Sequence, residues 1–182
     1  MNLKETKKEL GKFAKYVIKQ ARVNLTREKK NTTGALYKSL DYDIDVQKGA
    51  IVVDFLMEDY GEFVDKGVKG KNPNSLPQGA KWFGIQKAPT SPYQFGSNKS
   101  RGLRAAINKW TVQKNLKGVR DAKGRFIPRK TLQYLITRSI YLSGIRATLF
   151  FSRPFNKGLK RFTDKFTSAF ALDIEQEIIP KN

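Results

Sequence analysis

The sequence predicts an α+β chain with a helix at each end, an antiparallel hairpin near the front and a long basic insertion in the middle. Three observations carry this expectation. Apolar residues recur at helical spacing near both ends of the chain. The period switches to two across residues 40–56. Residues 67–100 are rich in proline, turn formers and positive charge.

The chain has 182 residues, near the size of one domain on a prior of roughly 100–200 residues each. A single domain over 1–182 is expected, with an insertion of loop and helix at about 68–125. Hydrophobic residues make up 39% and aromatics 12%, enough to build a core and too many for a disordered chain. The formal net charge of +20 favours an acidic partner: nucleic acid, an anionic membrane or an acidic protein surface. Cysteine and histidine are both absent. That removes disulfides, thiolate chemistry, the commonest general base, the imidazole metal ligand and every Ser-His or Cys-His pair. The expectation is a chain that is not an enzyme and carries no cofactor or metal. No apolar run is long enough to span a bilayer, and Met1 to Lys30 is a charged helical pattern without a signal-peptide core. Cytosolic synthesis is expected.

Residues 3–27 read as one amphipathic helix. Leu10, Phe13, Val17, Ala21 and Leu25 recur at spacings of three and four, and lysines fill the other face. "KKNTTGAL" stops it. In "SLDYDIDVQKGAIVVDFLM" Leu40, Tyr42, Ile44 and Val46 alternate with Asp41, Asp43 and Asp45. Ile51, Val53 and Phe55 then alternate with Val52, Asp54 and Leu56, a hairpin with a Gly-containing turn. "EDYGEFVDKG" is a short helix with Tyr60, Phe63 and Val64 on one side and Gly67 as its stop. "AKWFGI" reads as a short strand. A helix follows Ser100, its N-cap, on the stripe Leu103, Ile107 and Trp110. "GVRDAKGRFIP" is a turn or small hairpin. Thr131 to Leu142 is helical, with Leu132, Leu135, Ile136 and Ile140 aligned. Ser143-Gly144 ends that helix, and "ATLFF" is short and β-prone. Pro154 opens the last helix, where its missing N–H costs nothing. Its stripe is Leu159, Phe162, Phe166, Phe170, Ile174 and Ile178, read as core. Phe150 or Phe151 fills the core face of the sheet, and Phe155 staples the helix to it. Asp173, Glu175 and Glu177 near its end oppose the macrodipole unless a partner compensates.

Charge is unevenly divided. Residues 31–66 hold eight acids against Lys38, Lys48 and Lys66, whereas residues 67–130 hold Asp121 alone among fifteen Lys and Arg. Such a division suits head-to-tail packing with copies of the same chain. Asp41, Asp43 and Asp45 share a strand face, but their spacing supplies too few ligands for a divalent cation. Gly67, Gly70 and Gly79 lack the strand–loop–helix setting of a phosphate cradle. Trp82, Phe83, Tyr93 and Phe95 lie among lysines. They suit either base stacking or anchorage on a neighbouring subunit, and the second reading is favoured. The lysine face of the first helix is a weak candidate for a membrane surface, because its apolar face is modest and has no Trp.

The order of motifs resembles a known family. "TGALYKSLDYDI" (Thr33, Gly34, Leu36), "DYGEFVDKGV" (Tyr60, Val64, Asp65, Gly67) and "GIRATLFFSRPF" (Gly144, Ile145, Arg153, Pro154, Phe155) are similar, in sequence and order, to the tail-completion or neck proteins of tailed bacteriophages. The resemblance covers most of the chain except roughly residues 68–125. The insertion is longer and more basic than the family pattern, and Lys66 stands at a usually apolar or aromatic position. The resemblance implies a small antiparallel sheet packed on one face by the long N- and C-terminal helices. It implies no enzymatic activity. It also implies a structural virion protein, made in the host cytoplasm, that forms a homo-oligomeric ring at the head–tail junction. Such a ring joins the portal or connector to tail proteins and surrounds the channel that duplex DNA transits, without sequence preference and without a membrane. Combined with the charge division, the expected interface residues are Asp54, Glu58, Asp65, Lys69, Lys71, Trp82, Phe83, Tyr93, Phe95, Arg101 and Arg104. The alternative is a basic nucleic-acid-binding protein. A nuclease is disfavoured by the missing histidine.

Overall fold

The structure, a computed structural model, describes residues 3–30, 33–47, 50–96, 101–116 and 120–179. The chain folds as two compact units, Met1–Gly61 with Leu149–Asn182, and Glu62–Thr148. The region expected as an insertion, about 68–125, lies within the second unit.

The first unit pairs the two ends of the chain. Helix α1 (Lys4–Arg27) buries Phe13, Ala14, Val17, Ile18, Ala21 and Leu25, which includes the predicted stripe except Leu10, half-buried at its start. A short helix α2 (Ala35–Ser39) buries Leu36, and strands β1 (Asp41–Gln47) and β2 (Ala50–Leu56) form the predicted antiparallel hairpin. The expected Gly-containing turn, Lys48-Gly49, lies outside the described residues. Register pairs Tyr42 with Phe55, Ile44 with Val53 and Val46 with Ile51 on one face. Phe55 reaches the core from that face, its ring 6.0 Å from that of Phe13. Helix α6 (Ser152–Ile178) packs along α1. Phe150 is fully buried, and Phe151 and Phe155 set their rings 5.2 and 5.8 Å from Phe55. The corner at "FFSRPF" therefore joins the last helix to the sheet as expected. Phe13 is the hub, with Phe55, Phe155, Phe162 and Phe166 all edge-on to it, a geometry favoured by the ring quadrupole.

The α6 stripe differs from the one read in the sequence. Leu159, Phe170 and Ile178 are exposed, while Pro154, Gly158, Phe162, Ala169 and Asp173 are buried. The cause is steric. A Cβ on Gly158 would stand 2.9 Å from Phe13 Cε2 and 3.1 Å from the Tyr16 ring, so the helices cross where α6 is smallest, not where it is most apolar. Close crossing also brings the Asp173 carboxylate onto the first turn of α1. Oδ1 and Oδ2 accept from the amides of Glu5 (2.9 Å) and Thr6 (2.8 Å).

The second unit holds α3 (Gly61–Lys66, which begins at the end of the first unit), strands β3 (Val68–Lys69) and β4 (Gly144–Ile145), and helices α4 (Arg101–Gln113) and α5 (Arg129–Ser143). Gly67 ends α3 with φ +73°, the left-handed stop expected there. β3 and β4 pair antiparallel. "ATLFF" is not a strand. Only Gly144–Ile145 pairs, and Thr148 donates instead from N and Oγ1 to the Val64 carbonyl. "AKWFGI" is not a strand either, but consecutive turns closed by Phe83 N to Ala80 O and Ile85 N to Trp82 O. Gly79 precedes it, Gly84 within it turns at φ +68°, and among the described residues no strand pairs with it. Ser100, the expected N-cap of α4, lies outside the described residues. Ile107 is buried as expected, but Trp110 on α4 and Leu135 on α5 stay exposed. The small hairpin at 120–126 forms, with Arg120 bridged to Phe126. Asp121 Oδ1 accepts from the amides of Lys123 and Arg125, both at 2.9 Å.

The long segment after β3 is stitched down. The Gln86 side chain accepts from Gly70 N (2.6 Å) and donates to Gly70 O (3.0 Å). Lys69 N donates to Tyr93 O and accepts at its own carbonyl from Phe95 N. Lys87 N donates to Ser143 O, Ser91 Oγ to Gly67 O and Tyr141 Oη to Gly96 O. The residues from 70 to 96 thus form an ordered loop on β3 and α5. Its backbone groups are satisfied partly by the side chains of Gln86, Ser91 and Tyr141 and partly by backbone bonds to β3 and to the end of α5.

Candidate functional site

The acids of the hairpin converge by strand geometry. Asp41, Asp43 and Asp45 alternate with Tyr42 and Ile44, so all three point away from the apolar face. Asp54 of β2 joins them, directly opposite Asp43 in register. Two carboxylates in one cross-strand pair repel and destabilise the hairpin. Val52 and Leu56 share this outer face with them, and Leu56 is exposed. Glu58 lies exposed beyond β2, its amide donating to Ser39 Oγ at 3.1 Å. Among the described residues no group of three acidic side chains could hold a metal ion.

The second unit carries the opposite charge. It holds eighteen Lys and Arg against three acids, Glu62, Asp65 and Asp121, so most of the net +20 belongs to it. Those acids are engaged or hidden. Glu62 accepts from the Tyr93 hydroxyl and from Lys66 Nζ at 3.4 Å. The bond from Tyr93 and the nearby Lys66 charge hold its carboxyl below the ordinary range, and the same bond to Glu62 raises the Tyr93 phenol. Asp65 is 3% exposed. Asp121 is bound within its own hairpin, and the Arg125 amide leads in keeping its carboxyl acidic.

The expected interface residues fall in three settings. Asp54 and Glu58 are exposed in the first unit, whereas Asp65 is buried and presents no charge to a partner. Lys71 and Arg104 are exposed and Lys69 is half-buried; the Arg101 side chain lies outside the described residues. Two ammonium groups lie over the Trp82 ring, Lys81 Nζ at 5.2 Å and Lys87 Nζ at 4.6 Å from its centre, and Phe83 and Ile85 beside it are exposed. Tyr93 packs edge-on against Phe63 at 4.6 Å, and Phe95 tilts against Tyr141 at 5.8 Å. These two aromatics anchor the loop internally, so of the four expected loop aromatics Phe83 is the exposed one, with the half-buried Trp82 beside it.

A second feature has no counterpart in the expected residues. In the first unit a groove of about 760 Å³ runs between α1 and the α2–β1 junction. Lys15, Lys19, Arg22 and Arg27 line it with the exposed apolar side chains of Val23 and Tyr37, and Asp41 is the one acid in its lining. Arg22 is fixed there. Nε donates to Tyr37 O (3.1 Å), Nη2 donates to Leu40 O (2.9 Å), and the guanidinium lies over the Tyr37 ring. In the sequence these cations read as the solvent face of α1. The signal that would have marked a groove, Tyr37 closing over Arg22, depends on a helix too short to show periodicity.

Among the described residues no helix is long and apolar enough to cross a membrane. Comparison with protein-family models, with curated proteins and with solved structures finds no match.

Proposed function

We propose that this chain is a structural subunit of a virion neck, a tail-completion protein that assembles head to tail into a ring at the head–tail junction and has no catalytic role. The observation that carries the reading is the outer hairpin face. Asp43 and Asp54 oppose each other in register, with Asp41 and Asp45 alongside. This arrangement costs the isolated chain stability and is repaid only by a cationic surface. The second unit of another copy supplies such a surface. Exposed ion pairs are worth only about 0–1 kcal/mol each, so the charges set orientation and encounter rate. Leu56, Phe83 and Ile85, all exposed, supply apolar contact. A heterologous contact of this kind closes into a ring or runs on as a filament. The motifs shared with neck proteins favour closure, around a channel wide enough for duplex DNA and between the connector and the tail proteins.

The test is charge reversal at accessible acids only. Asp54→Lys with Glu58→Lys should abolish self-association or particle assembly, read by sedimentation and electron microscopy, while circular dichroism stays that of the parent. A further reversal at Lys71 and Arg104 should restore it. Normal assembly of the double reversal across low and moderate salt would refute the charge-directed contact.

One observation favours the alternative, a basic nucleic-acid-binding protein: the Trp82 turn, with Lys81 and Lys87 beside it. Gradient sedimentation with and without duplex DNA separates the two. Tight, strongly salt-dependent comigration with no self-association would favour the alternative.

A further inference from the structure

We infer that the basic groove on α1 binds a short unpaired strand of nucleic acid, with Lys15, Lys19 and Arg22 on its phosphates and Tyr37 against a base. The inference does not depend on the assembly reading above. It assigns a site in the first unit, apart from the Trp82 turn.

The lysines of α1 divide into two sets. Lys8 and Lys12 pair with Glu5 and Glu9, one turn back. No Asp or Glu lies between Leu10 and Arg27, and among the described residues Lys15 and Lys19 pair with no acid. Both are exposed. With Arg22 they stand at spacings of four and three, a row on one side of the helix. The row is about 10 Å long at ~1.5 Å per residue, which suits consecutive phosphates better than one anionic group.

Arg22 is already immobilised. Nε and one N–H of Nη2 donate to the Tyr37 and Leu40 carbonyls. A guanidinium has five N–H groups, so three remain without a protein acceptor among the described residues. A fork fixed in this way loses little freedom when it takes a phosphate.

The groove also selects the class of anion. Lys15, Lys19, Arg22 and Arg27 line it, more charge than a single carboxylate offsets. Its volume of about 760 Å³ lies within the roughly 300–1,000 Å³ of organic ligand sites. Tyr37, 38% exposed, adds an aromatic ring to the lining, and stacking on such a ring tolerates any base. Asp41 is the acid in the lining. Its Oδ1 accepts from the Tyr42 amide at 2.9 Å, and its charge repels a carboxylate-rich peptide. A nucleotide offers it donors instead, in exocyclic amines and sugar hydroxyls. A duplex keeps its bases paired and stacked away from Tyr37, so the ligand that uses every group is an unpaired strand.

The test is fluorescence anisotropy of the full-length protein with a labelled, unpaired strand of about ten nucleotides, as DNA and as RNA. The parent should bind, and affinity should fall between about 0.05 and 0.2 M salt. Lys15→Ala with Lys19→Ala should weaken binding at least about tenfold at the lower salt. It should also cut the slope of log affinity against log salt by about 1.4, at ~0.7 for each phosphate. Tyr37→Leu keeps the carbonyl that holds Arg22; it should weaken binding roughly fivefold or more and leave the slope unchanged. All three sites are exposed, so circular dichroism should stay that of the parent. Lys81→Ala with Lys87→Ala removes the same charge beside Trp82 and should leave affinity and slope near the parent's. An equal loss in that control would put the strand on the turn or across the whole cationic surface, and overturn the inference. So would parent-like binding by Tyr37→Leu, or a duplex or glutamate-rich peptide that competes as well as the single strand. Groove-dependent binding of DNA alone or RNA alone would support it and name the sugar. A parent that binds neither strand would sink it, while the hairpin-face contact, read by self-association, would stand.

Discussion

An aspartate in the closing turns of a helix normally faces the negative end of the dipole and costs stability there. Asp173 escapes because it serves another helix. It is 1% exposed and accepts from the Glu5 and Thr6 amides, two of the donors that the first turn of α1 leaves without intrahelical partners. Leu3, at the N-cap position, offers no side-chain acceptor. Burial pushes the Asp173 carboxyl upward, but the hydrogen bonds from Thr6 and Glu5 outweigh it, and the net shift is downward. A lowered folded-state pKa contributes stability that is complete above the unfolded value of about 3.9. That stability is lost as pH falls through the lower folded value. Asp173→Ala should therefore destabilise the chain at neutral pH by about 2–3 kcal/mol, a lost cap plus two buried amides without acceptors. The difference in denaturation midpoint between parent and variant should shrink as pH drops below about 4. A gap that stays constant down to pH 2 would show that the charge on Asp173 is not what caps α1.

At the scale of elements, legibility followed periodicity and failed where periodicity is short or where size matters more than polarity. The bounds of α1 and the hairpin strands stand in the sequence because seven or more residues repeat one pattern. The two-residue strands β3 and β4 have no period to read, and their partnership spans 75 residues of chain from Lys69 to Gly144. The five-residue α2 is equally silent, and with it the groove that it closes. The face of α6 is legible only in part, at Phe162 and Phe166, because Phe and Leu outweigh Gly and Ala in any apolar pattern, whereas close helix crossing selects the small residues. Of the candidate site, the acidic strand face was legible from simple alternation. The burial of Asp65 was not, since nothing local distinguishes it from Glu62. Gly158 gives the crossing its test. Gly158→Val places a branched side chain where a single Cβ already lies 2.9 Å from Phe13 and 3.1 Å from Tyr16. The cost should be about 1–3 kcal/mol, read as a lower urea midpoint, even though valine has the better helix propensity. An unchanged or raised midpoint would mean that the aromatic ring edges yield, and that the crossing does not depend on glycine.

Across the whole molecule, apolar burial and charge are divided in the same way, and the division has a thermodynamic consequence. The buried hydrophobic residues of the first unit include Phe13, Val17, Leu25, Leu36, Leu40, Phe150 and Phe162, whereas among the described residues the second unit contributes Val68, Leu76, Ala88 and Ile107. The second unit also carries the larger self-repulsion, with eighteen cations against three acids, and such excess charge opposes compactness. It should open first. Both tryptophans, Trp82 and Trp110, lie in it, so tryptophan fluorescence reports that unit alone. Far-ultraviolet circular dichroism is weighted toward the 24-residue α1 and 27-residue α6 of the first unit. In urea at low salt the fluorescence midpoint should fall below the dichroism midpoint, a failure of two-state behaviour by the criterion of coincident probes. Raising salt from about 0.01 to 0.15 M shortens the Debye length from roughly 30 to 8 Å. That should raise the fluorescence midpoint and move the dichroism midpoint little. Under the proposed function, assembly stabilises the basic unit by linkage and by meeting its charge with the neighbour's hairpin acids. The fluorescence midpoint should then rise with protein concentration in the parent but not in Asp54→Lys with Glu58→Lys. Coincident midpoints at every salt concentration would show instead that the two units unfold as one, and that the charge of the second is already balanced within the single chain.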